Sequence, residues 1–272
     1  MTATDARFAL PGSSVTAFVG LTFAWAWLFW GYWVVAMPPG GLQISTTFIL
    51  CAIIGGFAPS LSGLALARAG SGMQGMRDLV APVRRWRFAP SQWAIAIALV
   101  PATALLSALM QPAFIGPLKW PDPSVLAMAL IWPLMAAAGE EFGWRGYLLP
   151  RLEQSFGLLR AAFVIGLVWG VWHLPADYVA LKGYGDWFLA AFLVNGPIVL
   201  TAHSIVMAWL WRRTGGSLLA VIVYHVSITA SAMIAPSAGS DGLPGVLSAA
   251  TGAALVWAAA GALLVFRGND FN

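Results

Sequence analysis

Six ionisable residues stand inside apolar stretches: Glu140, Glu141, Arg145, His173, His203 and His225. They include every histidine of the chain. Carboxylates and imidazoles are the side chains that move protons to and from water, and both can ligate a metal. Glu141 and Arg145 are spaced i,i+4 in the order that favours an ion pair on one helix face. Glu140 is turned from Glu141 by about 100°. One carboxylate can therefore be held by Arg145 while the other, free of a cation, takes a proton from water. Two histidines and a glutamate from three helices would suit a catalytic zinc, which keeps one position open for water. The same groups suit a metal-free site, in which a Glu/His pair activates water and a second His donates to an oxyanion.

These residues need a scaffold, and the composition says which kind. Of 272 residues, 60% are hydrophobic and 9% charged, with 14 Lys+Arg and 10 Asp+Glu. A soluble domain is about 25% charged. A cytosolic enzyme, a disordered chain and an ordinary nucleic-acid binder are excluded, the last because the net charge is only +4. Cys51 is the sole cysteine, so an intrachain disulfide and a cysteine zinc site are ruled out. Charge-free runs cover 8–67, 88–118, 187–211, 214–240 and 242–266. A spanning helix needs roughly 20 apolar residues. The pattern predicts eight helices, over 15–37, 43–67, 91–110, 124–150, 159–180, 187–212, 217–235 and 245–267. Met37-Pro38-Pro39-Gly40-Gly41 reads as the turn between the first two. The first helix is too long for a signal-peptide core and is expected to remain as an anchor. The expected fold is all-α: one polytopic transmembrane domain over 1–272, a single bundle of about eight helices.

Eight spans put both termini on one side. Arg7, Arg68, Arg77, Arg84, Arg85, Arg87, Arg145, Arg151, Arg160, Arg212, Arg213 and Arg267 fall on that side, and Lys119 and Lys182 on the other. The positive-inside rule then places both termini in the cytoplasm and the chain in the inner membrane. The arginines of the 68–87 loop read as topology signals that touch anionic headgroups. At ~1.5 Å per residue, Glu140 lies roughly 14 Å from its helix end, His203 and His225 roughly 12 Å and His173 roughly 21 Å. Ionisable groups facing lipid are costly, so the four are expected to face inward together in one layer.

Three blocks carry a family likeness. The first is Glu140-Glu141-Phe142-Gly143-Trp144-Arg145, continuing Gly146-Tyr147-Leu148-Leu149-Pro150-Arg151-Leu152; the second is Trp169-Gly170-Val171-Trp172-His173. The third runs from Trp211 through Ser217 to His225. In this order and spacing they resemble the CAAX-protease and bacteriocin-processing family of intramembrane proteases, the group around the type II CAAX prenyl endopeptidases. The likeness covers about 124–232. It implies an eight-helix intramembrane endopeptidase with Glu140 activating water, Glu141 and Arg145 in support, and His173 and His225 as the other catalytic or zinc-binding groups. Glu140, His173 and His225 are the metal candidates. The family usually carries Asn or Asp four residues after the last His; here Thr229 stands there and keeps a hydroxyl donor on the oxyanion side. His203 lies outside the motifs.

Plainer readings accompany each residue. Glu141–Arg145 can be a stabilising pair, and the histidines can be hydrogen-bonding glue between helices, which is the preferred reading for His203 unless it makes up for Thr229. Asp177, four residues after His173, could orient it but reads better as a solvated carboxylate at a helix end. Trp30, Trp33, Trp86, Trp93, Trp120, Trp187 and Trp211 read as interfacial belts. Gly55, Gly56, Gly63, Gly166 and Gly170 read as close-packing positions. The expected partners are a peptide or protein substrate and the bilayer, with no nucleic acid. The rival functions are a catalytically silent bacteriocin self-immunity or scaffold protein, which Thr229 keeps open, and a transporter using the Glu/His set as a proton relay. No paired repeat with matching broken helices supports the transporter.

Overall fold

A computed structural model describes residues 13–36 and 45–271. The expected turn at 37–41 and Arg7 lie outside the described residues. Lipid offers backbone N–H and C=O groups no partner, so apolar runs must close their hydrogen bonds within helices. The chain is all-α and polytopic: among the described residues there is no strand, only one bridge pairing Lys119 with Ser237. The helices are α1 (Ser13–Ala36), α2 (Thr46–Gly56), α3 (Ala58–Val80), α4 (Pro90–Met110), α5 (Pro123–Glu141) and α6 (Leu149–Phe156). They continue as α7 (Leu158–Trp172), α8 (Leu174–Leu181), α9 (Phe188–Leu193), α10 (Val199–Arg213), α11 (Leu218–Ile234) and α12 (Gly242–Arg267).

Four of the eight expected segments are broken. The 43–67 segment bends by 44° between α2 and α3. The 124–150 segment leaves α-helical geometry at Phe142, winds as a π-helix over Phe142–Leu148 and resumes as α6. Pro150 has no N–H to donate back, which favours such a break. The 159–180 segment stops at His173, two residues before Pro175. The 187–212 segment carries a second π stretch, Val194–Ile198, with Pro197 inside it. Among the described residues four helical stretches are long and apolar enough to cross a membrane, or five if the bent pair forms one span. That is fewer than eight: the interrupted 124–150 segment is not among them, and α7 and α11 are shorter apolar helices of 15 and 17 residues. At ~1.5 Å per residue such helices fall short of a hydrocarbon core about 30 Å thick.

Helix α10 is the axis of the bundle: every residue from Leu200 to Leu210 is buried. It packs on α7 along a seam with almost no room, for a Cβ on Gly166 would meet Thr201 Cα at 2.3 Å and one on Gly170 would meet Pro197 Cα at 2.4 Å. Ser204 Oγ donates across the same seam to the Ala162 carbonyl at 2.7 Å, the kind of contact that holds helices where burial of apolar surface gives no drive. Gly55 and Gly63 are also close-packed, whereas a Cβ on Gly56 would find its nearest neighbour at 4.0 Å. Helix α11 packs on α5 and α4, the first π stretch packs on α3, and α1 packs across α2, α3 and α8.

Two expectations about tryptophan need correction. Trp30 and Trp33 are buried, not interfacial: Trp30 lies 4.4 Å from the Trp172 ring and Trp33 stacks on Phe48 at 4.4 Å. Trp86, Trp120 and Trp187 are exposed, as belt residues should be. Arg85 donates to the Gly215 carbonyl, Arg212 pairs with Glu153, and Arg213 meets Asp270 of the C-terminal turn at 3.3 Å.

The α7–α10 seam gives a direct test. Gly166→Ala should destabilise the protein by ~1–3 kcal/mol, the usual penalty of overpacking. It would be read as a lower midpoint of thermal unfolding in detergent. An unchanged midpoint would mean the two helices do not approach so closely.

Candidate active site

Glu141 closes α5 and is fully buried. Arg145, one turn on and inside the π stretch, donates through Nη1 to Glu141 Oε1 at 3.0 Å and Oε2 at 3.2 Å. His225, on α11, reaches the same Oε1 through Nδ1 at 2.6 Å. A carboxylate held by a guanidinium can only accept, so His225 Nδ1 carries the proton. His225 Nε2 lies 3.9 Å from Glu140 Oε1, beyond a direct hydrogen bond but within the span one water bridges. Glu140 is therefore the carboxylate that Arg145 does not hold, as the one-residue offset predicts.

Trp169 organises the opposite flank. Its indole Nε1 donates to Glu140 Oε2 at 2.5 Å. Its backbone carbonyl lies 3.0 Å from His173 Nδ1. A carbonyl only accepts, so this nitrogen carries the ring proton, and the neutral imidazole keeps its lone pair on Nε2. The Arg145 guanidinium sits over the same indole, 4.5 Å from the ring centroid. Trp169 was visible in sequence only as a motif position. Its spacing four residues before His173, which sets both on one face of α7, was the available signal.

Glu140, His173, His225 and Thr229 all line one cavity of about 410 Å³. Its remaining wall is largely apolar, with the aromatic rings of Trp30, Trp33, Phe48, Phe57 and Trp132. Glu141 and Arg145 stand behind this wall, positioning His225 rather than facing the cavity. The hydroxyl of Thr229, one turn after His225 on α11, has no hydrogen-bond partner among the described residues. Two further polar residues share the cavity. Asp177 on α8 faces it, which corrects the reading of that residue as a solvated helix-end carboxylate. Asn195 in the second π stretch donates to the Ala191 carbonyl at 2.9 Å and lines the cavity opposite Thr229's helix. Neither the break at His173 nor the π stretch at Asn195 follows from hydrophobic periodicity, which is why Asn195 escaped notice.

His203 does not join this group. It is buried, and its Nδ1 pairs with the Tyr224 hydroxyl at 3.0 Å. It lines a separate cavity of about 310 Å³ between α4, α10, α11 and α12. Of the four ionisable groups expected to face inward together, Glu140, His173 and His225 share one cavity and His203, also buried, lines another. That residue links α10 to α11 through the Tyr224 hydroxyl, as the glue reading expects. Asn195, Leu200 and Ile228 line both cavities and form the wall between them.

The same geometry bears on zinc. Each candidate imidazole has Nδ1 tied down and Nε2 free, as ligands do. Among the described residues, however, no three His, Cys, Asp or Glu side chains converge closely enough to hold a metal ion. Glu140, His173 and His225 share a cavity without forming a ligand set.

Residues 122–231 match the family model described as type II CAAX prenyl endopeptidase Rce1-like. The match begins before α5 and ends within α11, so it takes in every motif residue of the site. The chain is also similar to a curated protein, CAAX prenyl protease 2 of Methanococcus maripaludis, at 27% identity over 145 residues. The alignment covers 48% of this chain and 51% of that relative, so the chain spans about half the length of the curated relative it matches.

The buried tie predicts a non-additive pattern. Glu141→Gln or Arg145→Met alone should cost ~3–5 kcal/mol by leaving a buried charge without its partner, and the double variant should regain part of the loss. A double-mutant cycle on unfolding midpoints reads this. Strict additivity would mean the pair is not coupled.

Proposed function

From the family segment at 122–231, we propose that this chain is an intramembrane endopeptidase in which Glu140 activates the water that cleaves a peptide bond. The observation that carries the proposal is the 3.9 Å gap between Glu140 Oε1 and His225 Nε2, open to a cavity that also contains His173. A water in that gap gives its proton to Glu140 as its oxygen attacks the peptide carbonyl. Glu140 later returns that proton to the leaving amine nitrogen. The roles of the other residues follow from their contacts. Trp169 N–H fixes Glu140 Oε2 and so leaves Oε1 for the water. Glu141 holds the His225 ring in its tautomer. His173 Nε2 is an acceptor that can orient the water or the amine. Thr229 and Asn195 are the donors available to the developing oxyanion.

The aromatic wall suits an apolar part of the substrate, and the burial excludes bulk water, which strengthens each polar contact. The relative's printed name concerns a prenylated CAAX substrate; for this chain we propose the broader class, a peptide or protein presented from the membrane. We propose further that the arginine-rich end, with Arg85, Arg212 and Arg213, faces the cytoplasm of an inner membrane.

Glu140→Gln should lower peptide-cleavage turnover by about 10²–10⁴-fold with an unchanged unfolding midpoint, the range expected when a general base is removed. Trp169→Phe keeps the ring and deletes the N–H; it should cost about 10–100-fold, as partners that orient a reacting group do. Cleavage by purified protein reconstituted in lipid measures both. Wild-type turnover in Glu140→Gln would sink the assignment of Glu140 as the base; no cleavage by the wild-type protein would leave the silent binding protein that Thr229 keeps open. Metal analysis with chelator treatment runs beside it. Stoichiometric zinc with chelator-sensitive cleavage would transfer water activation to a Lewis acid.

A further inference from the structure

Four ionisable groups line the cavity of Glu140, and of these Asp177 alone has no part in the proposed chemistry. It stands in the first turn of α8, four residues after His173, whose carbonyl accepts from the Asp177 backbone N–H at 2.8 Å. Its side chain turns toward the second π stretch: a Cβ on Gly196 would lie 3.5 Å from Asp177 Oδ2. Asn195, the residue before that glycine, lines the same cavity. Asp177 is half-buried, and its oxygens are not sealed from the cavity. Among the described residues no hydrogen bond and no ion pair reaches its carboxyl.

The charges around it leave a place for a cation. The lining holds two carboxyls, Glu140 and Asp177, and two imidazoles, but no Lys and no Arg. The Arg145 guanidinium stands behind the wall and is matched by Glu141 at 3.0 Å. Glu140 has neighbours of its own, the Trp169 indole at 2.5 Å and His225 across the 3.9 Å gap. Asp177 has neither a donor nor a cation. Ionised carboxyls inside membrane proteins pair with a partner or face water. Water entering the cavity can solvate Asp177, but a peptide that fills the cavity expels that water. A neutral side chain brought against Asp177 then leaves a polar group unpaired. An ammonium or guanidinium supplies both the donor and the charge. The apolar remainder of the wall suits the methylene stem of such a side chain.

We infer that Asp177 determines specificity: it selects peptides that carry a Lys or Arg side chain close to the bond that is cleaved. Its carboxylate pairs with that side chain and takes no part in breaking the bond. The choice of a peptide as ligand rests on the endopeptidase reading, and binding tests the role of Asp177 apart from cleavage.

The test uses the whole chain in phosphatidylcholine nanodiscs, with empty discs as the blank. The probes are short labelled peptides of Ala and Leu with one Lys at a varied position, each matched by a peptide with Met there. Glu140→Gln protein, chosen to block cleavage, should bind the best Lys peptide about tenfold or more tightly than its Met match, read by fluorescence anisotropy. Adding Asp177→Asn should abolish that difference by weakening the Lys peptide, and Asp177→Glu, which keeps the charge, should preserve a preference. With Glu140 intact, Asp177→Asn should erase the Lys-over-Met ratio of kcat/KM, and the change should fall on KM. Asp177→Asn removes no internal contact, so its unfolding midpoint should match that of the parent. Equal binding of the two peptides, or a preference that survives Asp177→Asn, overturns the inference. So does a fall in kcat by the same factor on both peptides, which would put Asp177 in the chemistry. Cleavage without a Lys preference removes this inference and keeps the endopeptidase reading. A Lys preference in binding with no cleavage by wild type does the reverse.

Discussion

Glu141 carries two obligations at once, to Arg145 at 3.0 Å and to His225 at 2.6 Å, and none of the three is more than a few per cent exposed. In so dry an environment neither charge can be left without the other. That requirement constrains much of the bundle. It fixes α11 against the end of α5, sets the tautomer of His225 and turns its second nitrogen toward Glu140. It also determines which of the two adjacent carboxylates is free. Arg145 extends the constraint sideways, since its guanidinium covers Trp169 and thereby ties α7 to the same centre. The cavity is thus a by-product of a charge arrangement, and its aromatic lining is what the remaining apolar sequence supplies.

The division between the two carboxylates was legible because helical spacing is a local property: i,i+4 sets Glu141 beside Arg145, and a one-residue offset turns Glu140 away. The close packing at Gly55, Gly63, Gly166 and Gly170 was legible for a similar reason, small residues repeating in apolar stretches. The helix breaks were not. Hydrophobic runs report that a segment is buried, and they are blind to whether it winds as α or π. Pro150, Pro175 and Pro197 were in plain view, but a proline in a membrane helix can be absorbed or can break the helix, and neighbouring segments decide which. Asn195 was missed on this account and Asp177 was read as a solvated helix-end carboxylate, as both owe their positions to breaks. His203 was grouped by depth alone, and depth says nothing about which cavity a side chain enters.

Those breaks do positional work. His173 sits where α7 stops, so its ring is held by a carbonyl of the preceding turn rather than by a continuing helix. Phe142–Leu148 and Val194–Ile198 wind wider than an α-helix, and π turns of this kind are common where function has moved a side chain off its regular face. Gly143 shows how tightly the first is held: a Cβ there would lie 2.2 Å from the Pro59 carbonyl oxygen. A regular α-helix through either stretch would rotate the side chains beyond its start, Arg145 in the first case and the whole of α10 in the second.

The wall made by Asn195, Leu200 and Ile228 has a consequence for how this interior can be dissected. Two rooms that share a partition cannot be remodelled one at a time. Shrinking any of these three side chains enlarges the Glu140 chamber and the His203 chamber together, and a bulkier replacement crowds both. Their summed volume, not either volume alone, is the quantity such substitutions change. Position 195 therefore couples a polar side chain in the cavity of Glu140 to the packing of α4 and α12, which line the other cavity.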